Sequence, residues 1–186
     1  MTSFLAYLLF VSYPISIILS SALIPDLRWQ SILPLHMCSI LTLVAGLALI
    51  SECPFLRAVT YFIATPVCAQ ALITPALAYR FPSPIFFEFF ASHMLIVTAA
   101  FYLPLVMGWR PRKKDFVRAF FFGLAYMLAM LVINPLLGTN YGFVSNRPAG
   151  GSILDLLGEW PIYLFGMATV GFAGLWLISL PFKILK

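Results

Sequence analysis

Three side chains stand out because they are reactive and sit where hydrocarbon is expected. His36 and His93 are the two histidines of this 186-residue chain, and each falls inside a long apolar stretch. Cys38 follows the first by two residues. An ionisable group in hydrocarbon is costly, so its presence there points to function. A cysteine and a histidine that meet can carry acyl transfer: the thiolate is strongly nucleophilic, and imidazole takes its proton near neutral pH. Two histidines from separate helices at similar depth could instead hold a haem or a metal ion.

The surrounding composition defines the elements that must position these groups. The chain is 62% hydrophobic and 9% charged, with a mean hydropathy of +1.01. A soluble domain could not cover so much apolar surface with so little charge. Spanning ~30 Å of hydrocarbon takes about 20 helical residues. Six stretches reach that length, roughly Ser3–Leu23, Ile32–Ile50, Phe55–Ala78, Ile85–Met107, Phe116–Leu137 and Pro161–Leu180. They predict an all-α, polytopic six-helix transmembrane bundle, with residues 1–186 as a single transmembrane domain. The runs are too long for barrel strands. Pro14, Pro34, Pro66, Pro75 and Pro104 fall inside the expected spans, where neighbouring helices can re-satisfy freed carbonyls. Met1 to Leu9 contains no Lys or Arg, so the first stretch reads as a retained helix and not as a signal peptide.

Basic residues set the expected orientation. Arg110, Arg112, Lys113, Lys114 and Arg118 place the fourth connection in the cytoplasm, together with Arg57, Lys183 and Lys186. Of the 11 basic residues, this leaves Arg28, Arg80 and Arg147 outside. An even number of spans then puts both termini in the cytoplasm. The net charge of +5 follows from this bias and calls for no nucleic-acid partner.

Depth sorts the polar residues. His36 and Cys38 lie roughly 7–10 Å below the outer surface, and Glu88 and His93 roughly 4–12 Å below it, at 1.5 Å per residue. Gln70 and Thr74 share a face at the outer end of the third span, and Asn134 ends the fifth. The last outer connection adds Asn140, Tyr141, Ser145, Asn146, Arg147, Asp155 and Trp160, and Tyr163 opens the sixth span. The polar residues therefore converge on the outer-leaflet half of the bundle. On one helix, His36 and Cys38 would be about 200° apart. Unless Pro34 distorts that turn, Cys38 must pair with a group on another helix, and His93 has the matching depth.

Four ordered motifs carry a family resemblance. Leu33-Pro34-Leu35-His36-Met37-Cys38 resembles the LPLHLC segment of the YwaF-type bacterial integral membrane proteins, and Ala69-Gln70-Ala71-Leu72-Ile73-Thr74-Pro75 resembles their QALLTP segment. Ala91-Ser92-His93 is similar to their fourth-helix segment ending in Ser-His. Asn140-Tyr141-Gly142-Phe143-Val144 to Arg147-Pro148, Ser152 to Asp155, and Gly158-Glu159-Trp160-Pro161-Ile162-Tyr163 resemble their NY-x-x-L-x-x-KP, S-x-x-D and GPWPWY stretch. Arg147 replaces Lys, Glu159 replaces Pro and Ile162 replaces Trp. The eukaryotic relatives of that family include a transmembrane acyltransferase that moves acyl chains between ether and diacyl phospholipids with a cysteine and a histidine. More distant relatives are the androgen-induced membrane hydrolases, which use a threonine and a histidine. The resemblance implies a nucleophile role for Cys38 and a base role for His93, on a phospholipid or fatty acyl ester in a bacterial plasma membrane. His36 joins these two as the third candidate catalytic residue.

Such chemistry needs donors for a tetrahedral oxyanion. Gln70, Asn134, Asn140 and Tyr141 can donate, and Gln70, Thr74 and Asn134 can equally be helix–helix polar contacts. Glu88 or Asp155 could orient an imidazole. Arg147 with Arg80 could hold a phosphate. The candidate substrate-binding set is thus Gln70, Thr74, Glu88, Asn134, Asn140, Tyr141, Arg147 and Asp155. Cys53 and Cys68 read as packing residues, and the three cysteines do not look like a disulfide framework. No cofactor is expected for acyl transfer. The other function class is a transporter or lipid-binding protein in which the same polar centre binds without reacting.

Overall fold

In the computed structural model, which describes residues 1–148 and 153–184, six helices fulfil the expectation of an all-α bundle. They are α1 (Thr2–Leu23), α2 (Met37–Ile50), α3 (Pro54–Ile73), α4 (Pro84–Leu105), α5 (Lys113–Leu137) and α6 (Ile162–Ile184). Each belongs to a segment long and apolar enough to cross a membrane. Ser152 and Lys186 lie outside the described residues.

Two expected spans are shortened at prolines. The second was expected from Ile32, but regular helix starts only at Met37, after a 3-10 turn over Trp29–Ile32 and an extended His36 (φ −65°, ψ 140°). The third was expected to reach Ala78, but ends at Ile73, with Thr74 leaving the helix before Pro75. A residue preceding proline is pushed out of the α region, as Leu33 is before Pro34 and Thr74 before Pro75. Within α3, Thr60–Ala64 form a π-helical turn directly ahead of Pro66. The proline ring clashes with the carbonyl four residues back, and a π turn relieves that clash. The Thr65 hydroxyl donates to Tyr61 O at 2.6 Å within the same distortion.

α1 packs on α2 and α4, α2 also contacts α3 and α4, the first half of α3 packs on α5, and α6 lies against α5 and α3. Small residues let these backbones approach without a strong hydrophobic drive in lipid. Ala6, Ala45, Ala48, Ala58, Ala64, Ala99, Ala100 and Ala119 are fully enclosed. A Cβ on Gly46 would lie 2.8 Å from the Phe10 ring, so α1 and α2 touch there.

The basic end of the bundle is closed by its own charges. Arg57 donates to Ser51 O and Ala48 O at the end of α2 (3.0 and 3.4 Å), and Arg110 to Pro104 O at the end of α4 (2.7 Å). Asp115, wholly buried, accepts from the Arg112 backbone and guanidinium in a capping box and pairs with Arg118 at 3.8 Å. Cations at helix C-termini and an anion in a first turn suit the helix dipole.

Candidate functional site

The end of the bundle away from those charges is open. A cavity of about 720 Å³ is walled by all six helices and by the α5–α6 connection. That is a ligand-sized volume. Among the residues lining it are His36, Cys38, Gln70, Thr74, Glu88 and His93. Sequence reasoning gathered these six at the outer-leaflet half of the bundle; here they line one cavity.

Cys38 occupies the first turn of α2, where the chain leaves the extended His36. It shares the cavity wall with His93 of α4, close enough for the thiol and the imidazole to interact electrostatically. His36 is exposed and close enough to Cys38 for their charges to interact. Because His36 is not helical, the 200° separation does not apply. The distortion at Pro34 lets both residues face the cavity. The first intrahelical bond of α2 runs from Ile40 N to His36 O. The N–H groups of Met37, Cys38 and Ser39 therefore precede the helical ladder, and no side chain caps them from position 36. Beside them the Tyr126 hydroxyl donates to Leu35 O at 2.9 Å. The N–H groups of Cys38 and Ser39 remain at the positive end of the helix dipole.

His93 is 6% exposed and held on both sides. Its Nδ1 lies 2.8 Å from Phe89 O, and a carbonyl only accepts, so Nδ1 carries the proton. Nε2 is left with the lone pair. The Phe89 ring lies against the imidazole at 4.0 Å between centroids. No carboxylate takes the orienting position expected of Glu88 or Asp155; a backbone carbonyl fills it. Glu88 accepts from Ser16 of α1 at 3.3 Å, and the Ser92 hydroxyl donates to Phe89 O at 3.0 Å and lies 3.5 Å from His93 Nδ1. Glu88 thus acts on the imidazole through its charge.

The remaining expected residues separate into two groups. Gln70 and Thr74 stay on the cavity wall and bond each other, Nε2 to Oγ1 at 2.5 Å. Asn134, Asn140 and Tyr141 are committed to building the α5–α6 connection. Buried Asn134 donates to Tyr141 O (3.1 Å) and accepts from Tyr141 N (2.8 Å) and Thr139 Oγ1 (3.0 Å). Asn140 accepts from Ser145 N and Asn146 N and donates to Asn146 O. The Tyr141 hydroxyl donates to Gln30 O, and its ring meets His36 edge-on at 4.9 Å. Burial pushes that hydroxyl up from its ordinary range, which keeps it a donor. Arg147 pairs with Asp155 at 3.6 Å and Glu159 at 2.8 Å, off the cavity wall. Arg80 is exposed in the α3–α4 connection.

Several cavity residues were missed by sequence reasoning. Ser12, Ser16 and Ser20 of α1 line the cavity, and their i, i+4, i+8 spacing was a readable stripe. Tyr126 looked like one aromatic among many. Cys68 was expected to pack, and it is fully enclosed in the core, off the cavity wall. Among the described residues, no group of three or more His, Cys, Asp or Glu side chains is arranged to hold a metal ion.

Neither the curated proteins nor the solved structures give a match to this chain. A family model does match, over residues 1–179, nearly the full length. With its six apolar helices the chain is a multi-pass integral membrane protein, and it belongs to the TMEM164 family.

Proposed function

We propose that the protein is a lipid-directed acyltransferase or acyl-ester hydrolase, with Cys38 as nucleophile and His93 as general base. The observation that carries this reading is the meeting of Cys38 with an imidazole whose Nδ1 is committed to Phe89 O, at the wall of a ligand-sized cavity. His93 Nε2 would take the thiol proton as sulfur attacks the ester carbonyl of a phospholipid or fatty acyl ester. The tetrahedral oxyanion would lie against the N–H groups of Cys38 and Ser39. Such preorganised donors are worth ~10²–10³ in rate. Collapse would expel the lyso-lipid alkoxide, which takes the proton back from His93, and leave an acyl thioester on Cys38. A second hydroxyl, or water, deprotonated by His93, would then cleave the thioester and regenerate the thiol. Resting hydrogen bonds at such sites are commonly long and tighten with substrate.

Glu88 would stabilise the transient imidazolium, and His36 would add a second positive or hydrogen-bonding group beside the thiolate. The Ser12, Ser16 and Ser20 stripe, Gln70 and Thr74 would contact the polar part of the lipid. By the positive-inside rule, the cavity opens toward the outer leaflet and both termini are cytoplasmic. The resemblance to YwaF-type proteins favours a bacterial plasma membrane.

Incubation with phospholipid followed by intact-mass spectrometry tests the reading. The expected result is a hydroxylamine-sensitive acyl adduct on Cys38, absent from Cys38→Ser and His93→Ala. A folded wild type that forms no adduct with any phospholipid class would transfer the same cavity to a binding or transport role.

A further inference from the structure

Polarity falls along the cavity in one direction. On α3 the lining residues change from Thr74 and Gln70 at the open end to Val67, Pro66 and Ile63 deeper in. On α4 they change from Glu88 and His93 to Ile96. From Met167 to Leu175, about 12 Å of helix rise, α6 lines the cavity with apolar side chains and glycine alone. This apolar arm ends at packed rings. Phe120 is the lining residue of α5 nearest the basic end. It meets Phe172 edge-on at 5.2 Å, Phe172 meets Phe116 at 5.2 Å, and Phe116 meets the buried Phe62 at 6.0 Å. Three glycines line the arm: Gly123 of α5, and Gly171 and Gly174 of α6. Close packing does not demand them. A Cβ on Gly46 would stand 2.8 Å from Phe10, and one on Gly166 2.9 Å from Leu157. On Gly123 and Gly174 it would make ordinary contacts at 3.6 and 3.8 Å, and on Gly171 it would meet nothing within 4 Å. Glycine is the poorest helix former after proline, and protein interiors hold few voids larger than a water. Glycine here keeps volume open; at Gly46 and Gly166 it lets chains touch.

We propose that this apolar arm is an acyl-chain subsite that selects substrate by chain length. Gly123, Gly171 and Gly174 give it its width, and Phe120, backed by the other three rings, is its floor. The subsite rests on the acyl-transfer reading. With the ester carbonyl at Cys38, the head group stays among the polar residues of the open end and the acyl chain runs down the arm. Moving a chain from bilayer hydrocarbon into an apolar cavity brings little hydrophobic gain, because the chain leaves no water. Selection comes from fit instead. A chain that fills the arm makes close contacts along its walls, and a short one leaves those walls without partner atoms. A chain longer than the arm meets Phe120. The preferred substrates are therefore esters within one range of chain length, measured at the end remote from the reacting carbonyl.

An equimolar mixture of dibutyroyl-, dioctanoyl-, dilauroyl- and dipalmitoyl-phosphatidylcholine, offered to the full chain in detergent, tests the subsite, because intact mass reports which acyl group Cys38 carries. Wild type should favour one of the longer chains over butyroyl. Gly171→Leu should shift the preference to shorter chains and lower the ratio of that adduct to the butyroyl adduct by about 10–200-fold, the discrimination a methylene-sized change makes in an apolar pocket. Gly171→Ala, whose Cβ has room, should shift it less and in the same direction, and serves if the leucine variant does not fold. Ala173→Leu adds bulk to α6 at an exposed position off the cavity wall and should leave the ratios as in wild type. Equal adducts of all lengths in wild type, ratios unmoved by both Gly171 variants, or the same shift from Ala173→Leu overturn the proposal. Occupancy is read without chemistry by irradiating Cys38→Ala with a phosphatidylcholine whose acyl chain ends in a diazirine. The expected cross-links fall on the lining residues of α5 and α6, and Gly171→Leu weakens them. Cross-links confined to lipid-facing residues such as Phe165 overturn the subsite. Cross-links in the arm without any acyl adduct would keep the subsite and discard the catalytic reading; an adduct without chain-length preference would do the reverse.

Discussion

The two ends of the bundle use polar groups in opposite ways. At the basic end, Arg57, Arg110, Arg112 and Asp115 are each tied to a helix terminus or to one another, and the helices between them meet through alanines. At the other end, Cys38, Gln70, Glu88 and His93 face a cavity, and a helix N-terminus is left uncapped by a side chain. The α5–α6 connection stands between these behaviours. Asn134 of α5 and Asn140 are spent on its backbone, and Tyr141 together with Tyr126 of α5 holds the segment of chain that leads into α2. Polarity alone does not mark a site; polarity left facing space does.

Substitutions at the two ends should therefore separate chemistry from stability. The largest effect belongs to the cavity: Cys38→Ala should abolish the acyl adduct, and His93→Ala should slow its formation by about 10²–10⁴, so that none accumulates in the time wild type needs, both with thermal unfolding close to wild type. Loss of stability equal to loss of rate would erase the contrast. Next comes Gly142→Ala. Gly142 has φ +66°, and a Cβ there would stand 2.7 Å from the Tyr126 ring. Backbone strain of ~1–2 kcal/mol would accompany a shift of Tyr126 and of the start of α2. Adduct formation should fall on the order of 10–100-fold, because small misplacements of reacting groups are costly. Unchanged adduct kinetics would show that the connection does not position the site.

Asn134→Leu should cost stability and little else beyond it. It leaves the Tyr141 N–H and C=O without their side-chain partner, at about 1–3 kcal/mol for a buried group, read as a lower unfolding midpoint in detergent. Asp115→Asn at the opposite end removes the anion of the capping box, worth ~1 kcal/mol, and should leave adduct formation untouched. Arg147→Gln comes last. Its carboxylate partners are 42% and 81% exposed, so ~0–1 kcal/mol is expected. A large rise in the lipid concentration needed for half-maximal adduct would instead return Arg147 to the role of phosphate ligand.

The sequence made depth legible and left azimuth hidden. Apolar runs of about 20 residues announce six spans, and counting along them set Cys38, Glu88 and His93 at one level. Where a side chain points around its helix depends on phase, and phase was lost at Pro34, Pro66 and Pro75. His36 and Cys38 accordingly looked incompatible on a continuous helix, yet both reach the cavity because the helix begins after His36. Asn134 and Asn140 looked like ligands because an isolated amide reads the same whether it binds a substrate or a backbone. Cys68 was legible as packing, since a buried thiol packs like a small apolar residue.

The π turn at Thr60–Ala64 gives the molecule a reading frame. The turn inserts an extra residue into the α-helical repeat of α3, so every position beyond it is read about 100° out of step with the half before it. Cys68, Gln70 and Thr74 all lie beyond that point. Removing a single apolar residue there would leave the hydropathy profile nearly unchanged and still turn Gln70 and Thr74 away from the cavity. The number of residues between Pro54 and Pro66 therefore sets which side chains form this part of the cavity wall, a property the hydropathy profile does not record.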